Sequence, residues 1–278
     1  MASLPSSGAL PPSPAISGRR RAVFLVHYIA ILVVAELLIV FAGTIDQEWP
    51  ALVALVLEIF LAFSLPVIGS FLVGDRPLAA FLGALTLPPL LRIVSIATPA
   101  TFLTPSQWLG ISSVPLVLAA VAVMQAQGLR PRDVFLALGV RRYAALNIAL
   151  VAAGFAIGFA EFQVVQPSPL VPTPESPEFP LALFAVVLTT GVTEEIIFRG
   201  VLLRTAVPVL RRAGAVAYVS AVSACLVIGF ESVPVLLFVF ASGLVFGAVV
   251  LVTESLWGAV GSHAIASIAL YLILPFTV

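Results

Sequence analysis

Runs of about 20 apolar residues, each nearly free of charge, recur from one end of this 278-residue chain to the other. Each is long enough to cross the ~30 Å hydrocarbon core of a bilayer as a helix. Backbone groups in hydrocarbon must be satisfied internally, so only helices and closed barrels span a membrane. The runs lack the apolar/polar alternation of barrel strands, which leaves helices. Hydrophobic residues make up 61% of the chain and charged residues 9%, against about 25% charged in a soluble domain. No soluble core of this size hides so much apolar surface. The expected fold is all-α, a polytopic membrane bundle of eight or nine transmembrane helices.

Nine spans are expected, at approximately 22–43, 51–73, 78–98, 107–127, 143–165, 181–204, 214–231, 234–252 and 256–275; a re-entrant segment would make them eight. Domain organisation follows: a tail over 1–21, N-terminal transmembrane helices over 22–165 and a C-terminal core over 181–275. The tail is rich in Ser, Pro and Ala, ends in Arg19, Arg20 and Arg21, and is expected to be disordered. The first apolar run is longer than a signal-peptide core, so it is read as a retained span.

Arginines set the expected orientation. Arg76, Arg130, Arg132, Arg141, Arg142, Arg204, Arg211 and Arg212 join the N-terminal cluster on one side, while Asp46, Glu48, Glu175 and Glu178 fall on the other. The N-terminus is expected in the cytoplasm, and the protein integral to a membrane, that of a bacterial cell. Gln166 to Pro180 reads as an extended outer loop. Arg130 to Arg142 reads equally as a short interfacial helix or a plain connection. Net charge is zero, so nothing points to nucleic acid. The one cysteine, Cys225, reads as an apolar filler, and His27 as structural.

Charges inside spans are costly and mark function by default. Glu36, Glu58, Arg92 and Glu161 are assigned structural roles, with Glu58 and Arg92 as an ion pair between the second and third spans. The sixth span is different, because TEEIIFRG places Glu194, Glu195 and Arg199 within six residues. Glu195 and Arg199 stand at i and i+4 and can pair. Glu194, about 100° around an α-helix, can point to a cavity. Glu231 closes the run SACLVIGF, and His263 lies in the last span with Ser267 one turn later.

These residues carry a family resemblance. EEIIFRGVLL at 194–203 resembles the Glu-Glu-x-x-x-Arg motif of the CAAX-protease and bacteriocin-processing (CPBP, Abi-like) family of intramembrane endopeptidases. The family's second motif is Phe-x-x-x-His; in the aligned VSACLVIGFES, Val227 stands for Phe and Glu231 for His. Its third is His-x-x-x-Asn; ESLWGAVGSHAIAS supplies His263, with Ser267 in the Asn place. The likeness covers roughly 181–275.

The resemblance implies hydrolysis of a peptide bond in a membrane-associated or prenylated (CAAX-type) protein or peptide. Glu194 would activate water with the second-motif residue, His263 and Ser267 would steady the oxyanion, and Glu195 and Arg199 would support the site. Glu231 leaves three readings open. It could share a proton with Glu194; it could bind zinc or another divalent metal with Glu194 and His263, as in a metalloprotease; or the site could be degenerate, the protein keeping an interaction or bacteriocin-immunity role. A proton-coupled transporter ranks last, because the chain lacks matching broken helices in two halves.

Overall fold

The computed structural model describes residues 18–72, 74–98 and 100–277, and every regular element among them is helical. Eight helical stretches are long and apolar enough to cross a membrane, which makes this an integral membrane protein. The first is α1 (Gly18–Ile45), so Gly18 to Arg21, expected in the tail, already lie in a helix; the rest of that tail lies outside the described residues. It is followed by α2 (Trp49–Phe71), then by α3 (Arg76–Ala84) and α4 (Leu87–Ala97), which share one traverse. Pro88 and Pro89 fall in the first turn of α4, where a missing N–H costs little. Next come α5 (Pro105–Ala126), capped by Thr104 and Gln107, and α6 (Ala144–Val165).

The sixth stretch, Phe179–Cys225, holds 47 residues. Straight, it would measure about 70 Å, more than twice the bilayer core. It is not straight: Arg211 has φ 62° and ψ 170°, and the chain doubles back there. A methyl placed on Gly243 would meet Ser220 Oγ at 2.8 Å and Arg199 Nη2 at 3.3 Å, so residues 21 apart in sequence flank a single point. The expected sixth and seventh spans are therefore two passes of one helical stretch, α7 (Phe179–Val186) running through π-helical turns into α8 (Leu203–Cys225). The chain ends in α9 (Val233–Thr253) and α10 (Trp257–Ile268), with a π-turn over Ala269–Ile273.

Small residues bring the last helices together. Gly154 and Gly158 on α6 lie against the backbone of α10: a Cβ on the first would stand 2.6 Å from the Ser262 carbonyl, and on the second 2.8 Å from Ala266 Cα. This is the close approach that a small-x-x-x-small pattern permits between membrane helices. Gly191 does the same from the other side, its Cβ falling 2.8 Å from that of Ala264. α10 is thus clasped between α6 and the π-helical segment.

The N-terminal helices are tied to this core by an ion pair different from the expected one. Arg92 donates through Nε and Nη2 to both carboxylate oxygens of Glu36, each at 2.6 Å, and through Nη2 to the Leu226 carbonyl at 2.7 Å. Glu58 is fully buried, and neither of its carboxyl oxygens has a hydrogen-bond partner among the described residues. The sequence paired Arg92 with Glu58; the placement of α1 beside α4 gives the two-pronged geometry to Glu36 instead.

Arg130 to Arg142 forms a clamped connection rather than an interfacial helix. Short 3₁₀ turns at Pro131–Val134 and Arg141–Tyr143 flank it. Val140 N–H donates to Thr253 O, the Phe135 carbonyl accepts from Leu256 N–H, and the Leu136 carbonyl accepts from the Trp257 indole. The connection therefore fixes the turn that launches α10. At the opposite end, the loop after α6 is pinned where Leu170 N–H donates to Tyr271 O.

Candidate active site

The Glu-Glu-x-x-x-Arg segment sits in π-helical turns, Val187–Glu194 and Ile196–Leu202, joined at Glu195. Such i→i+5 turns recur at functional sites because they re-aim side chains. Thr189 and Thr190 return their hydroxyls to the carbonyls of Ala185 and Val186, and Thr193 reaches Leu188, five residues back. Back-bonding of this kind bends helices and keeps these hydroxyls satisfied in an apolar setting.

Glu195 and Arg199 pair as their spacing implies, Arg199 Nη1 donating to Glu195 Oε1 at 3.0 Å. The same oxygen accepts from His263 Nδ1 at 2.8 Å. Glu195 has no exposed surface, and its Oε2 has no protein partner among the described residues. Arg199, also buried, lies over the Phe246 ring at 5.6 Å and the Phe198 ring at 5.8 Å, where a desolvated guanidinium gains from the ring faces. Gly243 admits it, since any side chain there would press on its guanidinium.

Holding Nδ1 against a carboxylate fixes the orientation and tautomer of the imidazole. His263 Nε2 is left as the nitrogen that can serve chemistry, an acceptor in the neutral ring and a donor in the imidazolium. His263 is partly exposed, at 24% of its side chain, and that exposure opens into a cavity of about 480 Å³. Glu194, half-buried, lines the same cavity, with Ser267, Arg199, Glu161 and Tyr271. The facing wall is apolar: Phe230 beyond α8, then Val235, Phe238, Val239 and Phe246 along α9. Arg92 borders the cavity too, already neutralised by Glu36.

Of the residues expected in the site, Glu194, Arg199, His263 and Ser267 border one cavity, with Glu195 directly behind His263. Glu231 does not join them. α8 ends at Cys225, a 3₁₀ turn follows at Ile228–Phe230, and Glu231 adopts a left-handed backbone, φ 53° and ψ 25°. Its side chain is exposed and outside the cavity, where Val227 and Phe230 stand instead. The expected helix ran to 231; the observed one stops six residues earlier, which removes the register that would aim residue 231 inward.

The ligand set Glu194, Glu231 and His263, read for zinc or another divalent metal, is accordingly not assembled. Among the described residues no three His, Cys, Asp or Glu side chains group as metal ligands. The expected ligand set therefore does not fit such an ion in this structure.

Glu161, assigned a structural role from sequence, borders the cavity instead. The signal was present: Gly154-Phe-Ala-Ile-Gly158 marks the face of α6 that packs closely, and Glu161 follows three residues later on that face.

Chemically, the arrangement offers a carboxylate able to take a proton from water, an oriented imidazole and a hydroxyl able to face a developing negative oxygen, and an apolar wall for a greasy substrate. A family model described as type II CAAX prenyl endopeptidase Rce1-like matches residues 176–269, the segment that holds Glu194, Glu195, Arg199, His263 and Ser267 and excludes Glu161. The family likeness carried by the motifs is therefore found independently over the same third of the chain. No curated protein and no solved structure matches the chain significantly.

Proposed function

We propose that this membrane protein is an endopeptidase of the CAAX-protease type, hydrolysing a peptide bond of a membrane-associated or prenylated protein or peptide within the cavity between α6, α7, α9 and α10. The observation that carries the reading is the shared cavity of Glu194 and His263, with Glu195 holding the imidazole from behind. The family match over 176–269 supports the same reaction class.

In this reading Glu194 takes a proton from a cavity water, and the resulting hydroxide adds to the scissile carbonyl carbon. The Ser267 hydroxyl and, in the imidazolium form, the His263 Nε2–H donate to the oxyanion that forms. Glu195 does not touch substrate: it orients the ring from behind, and Arg199, at the cavity border, balances the buried carboxylate, whose charge would otherwise be costly. The aromatic wall of Phe230, Phe238 and Phe246 would take an apolar branch of the substrate.

A second reading, a catalytically degenerate relative with an interaction or immunity role, is favoured by one observation. Glu231, which stands at the second-motif His position, lies outside the cavity. Purified protein in nanodiscs, offered matched prenylated and unprenylated CAAX peptides, separates the two, with products read by mass spectrometry. Cleavage of the prenylated peptide at a higher kcat/KM supports the proposal. Saturable binding of that peptide with no product over hours supports the degenerate reading.

A further inference from the structure

The family match begins only after α6. Glu161 lies on α6, before residue 176, so no family motif assigns it a role. Yet it borders the cavity together with Glu194 and His263, while the second-motif position supplies only Val227 and Phe230 there. The site has a candidate base and an oxyanion side, and the second partner expected from the motifs has turned away.

The helix register places Glu161 with respect to the rest. Gly154 opposes Ser262, and Gly158 opposes Ala266, so α6 and α10 run parallel and in step. Three residues farther, Glu161 comes level with residue 269, about 9 Å along the axis beyond His263. Ser267 lies between those two levels. The small residues of the α6–α10 contact leave α6 no freedom to draw this carboxyl away.

Resting on the endopeptidase reading above, we infer that Glu161 is a further catalytic residue, the general acid that protonates the leaving amine opposite the base Glu194. The step balances. The Glu194 carboxylate takes one proton from water as the water oxygen bonds to the carbonyl carbon, whose π electrons move to oxygen. The oxyanion then re-forms the C=O bond, the C–N bond breaks, and the protonated Glu161 carboxyl gives its proton to the departing nitrogen. The products are a carboxylic acid and an amine. Glu194 is left protonated and Glu161 ionised, and transfer of one proton between them through cavity water restores the start. The other charged or titratable groups that border this cavity are Arg199 on the π-helical segment, His263 and Tyr271 on the last helix, and Arg92 on α4.

The test uses full-length protein in nanodiscs and two substrates identical except at the scissile bond, a peptide amide and the matching ester. An alkoxide leaves far more readily than an unprotonated amine, so only the amide needs the acid. Glu161→Gln is expected to lower kcat on the amide about 10²-fold with KM unchanged, and to leave the ester within about threefold. The part of the alkaline fall shown by the amide and not by the ester, which reports ionisation of the acid, should vanish in E161Q. Glu194→Gln should lose both substrates. Equal losses of E161Q on amide and ester, or none on either, would overturn the assignment to Glu161 while leaving the protease reading intact. A wild type inert toward both substrates would overturn that reading, and this inference with it.

Discussion

His263 Nδ1 and Glu195 Oε1 meet at 2.8 Å across 68 residues of sequence, on the oxygen that also receives Arg199 at 3.0 Å. One buried carboxylate therefore couples the first and last motifs. It sets which imidazole nitrogen faces the cavity, and it places the two helices that carry Glu194 and His263 in fixed relation.

Replacing Glu195 with Gln keeps its shape and removes its charge. Turnover is expected to fall about 10²-fold with KM little changed, because the substrate does not touch this residue. Replacing it with Ala leaves Arg199 buried and unpaired and should cost about 3–5 kcal/mol of stability, read from unfolding in detergent. An E195Q enzyme with wild-type turnover would show that His263 needs no orienting carboxylate.

Glu231 is exposed and outside the cavity. E231Q and E231A are each expected to retain activity within about twofold, since surface changes away from a site rarely matter. A hundredfold loss in either would mean that the loop after α8 folds inward during catalysis.

Glu36 and Arg92 form a two-pronged buried pair that also anchors the Leu226 carbonyl. Truncating either partner should destabilise by about 3–5 kcal/mol, whereas replacing both with Leu should be close to neutral. The double-mutant cycle, followed by thermal unfolding, checks this. Additive single and double effects would show that the pair is not coupled.

Gly158 faces the α10 backbone at Ala266, with no room for a methyl. G158A is expected to cost about 1–3 kcal/mol through overpacking and to lower turnover by shifting His263 away from Glu194. G43A, on an open face of α1, is the control: it should leave turnover unchanged and, through helix propensity, not lower stability.

Bilayer thickness and backbone satisfaction made the helices legible from sequence, and the Glu195–Arg199 pair followed from helical spacing alone. What stayed hidden depended on phase and on where helices stop. Glu36 rather than Glu58 meets Arg92 because of rotation about α1 and α2, which apolar runs without periodicity do not encode. Glu231 leaves the site because α8 ends at Cys225, a boundary that the continuous apolar run through Phe230 conceals. Arg211 reverses the chain in a left-handed conformation, with no glycine to announce it. Glu161 was within reach of sequence reasoning, through the two glycines of its own helix.

In the proposed reaction every later step depends on Glu194 activating the attacking water. The most direct measurement is single-turnover cleavage of a prenylated CAAX peptide by wild type and by Glu194→Gln, in the same nanodiscs and at equal peptide occupancy. Product is expected from wild type, with a loss of at least about 10²-fold in E194Q and unchanged peptide binding. Cleavage by E194Q at the wild-type rate would contradict it and remove Glu194 from the chemistry.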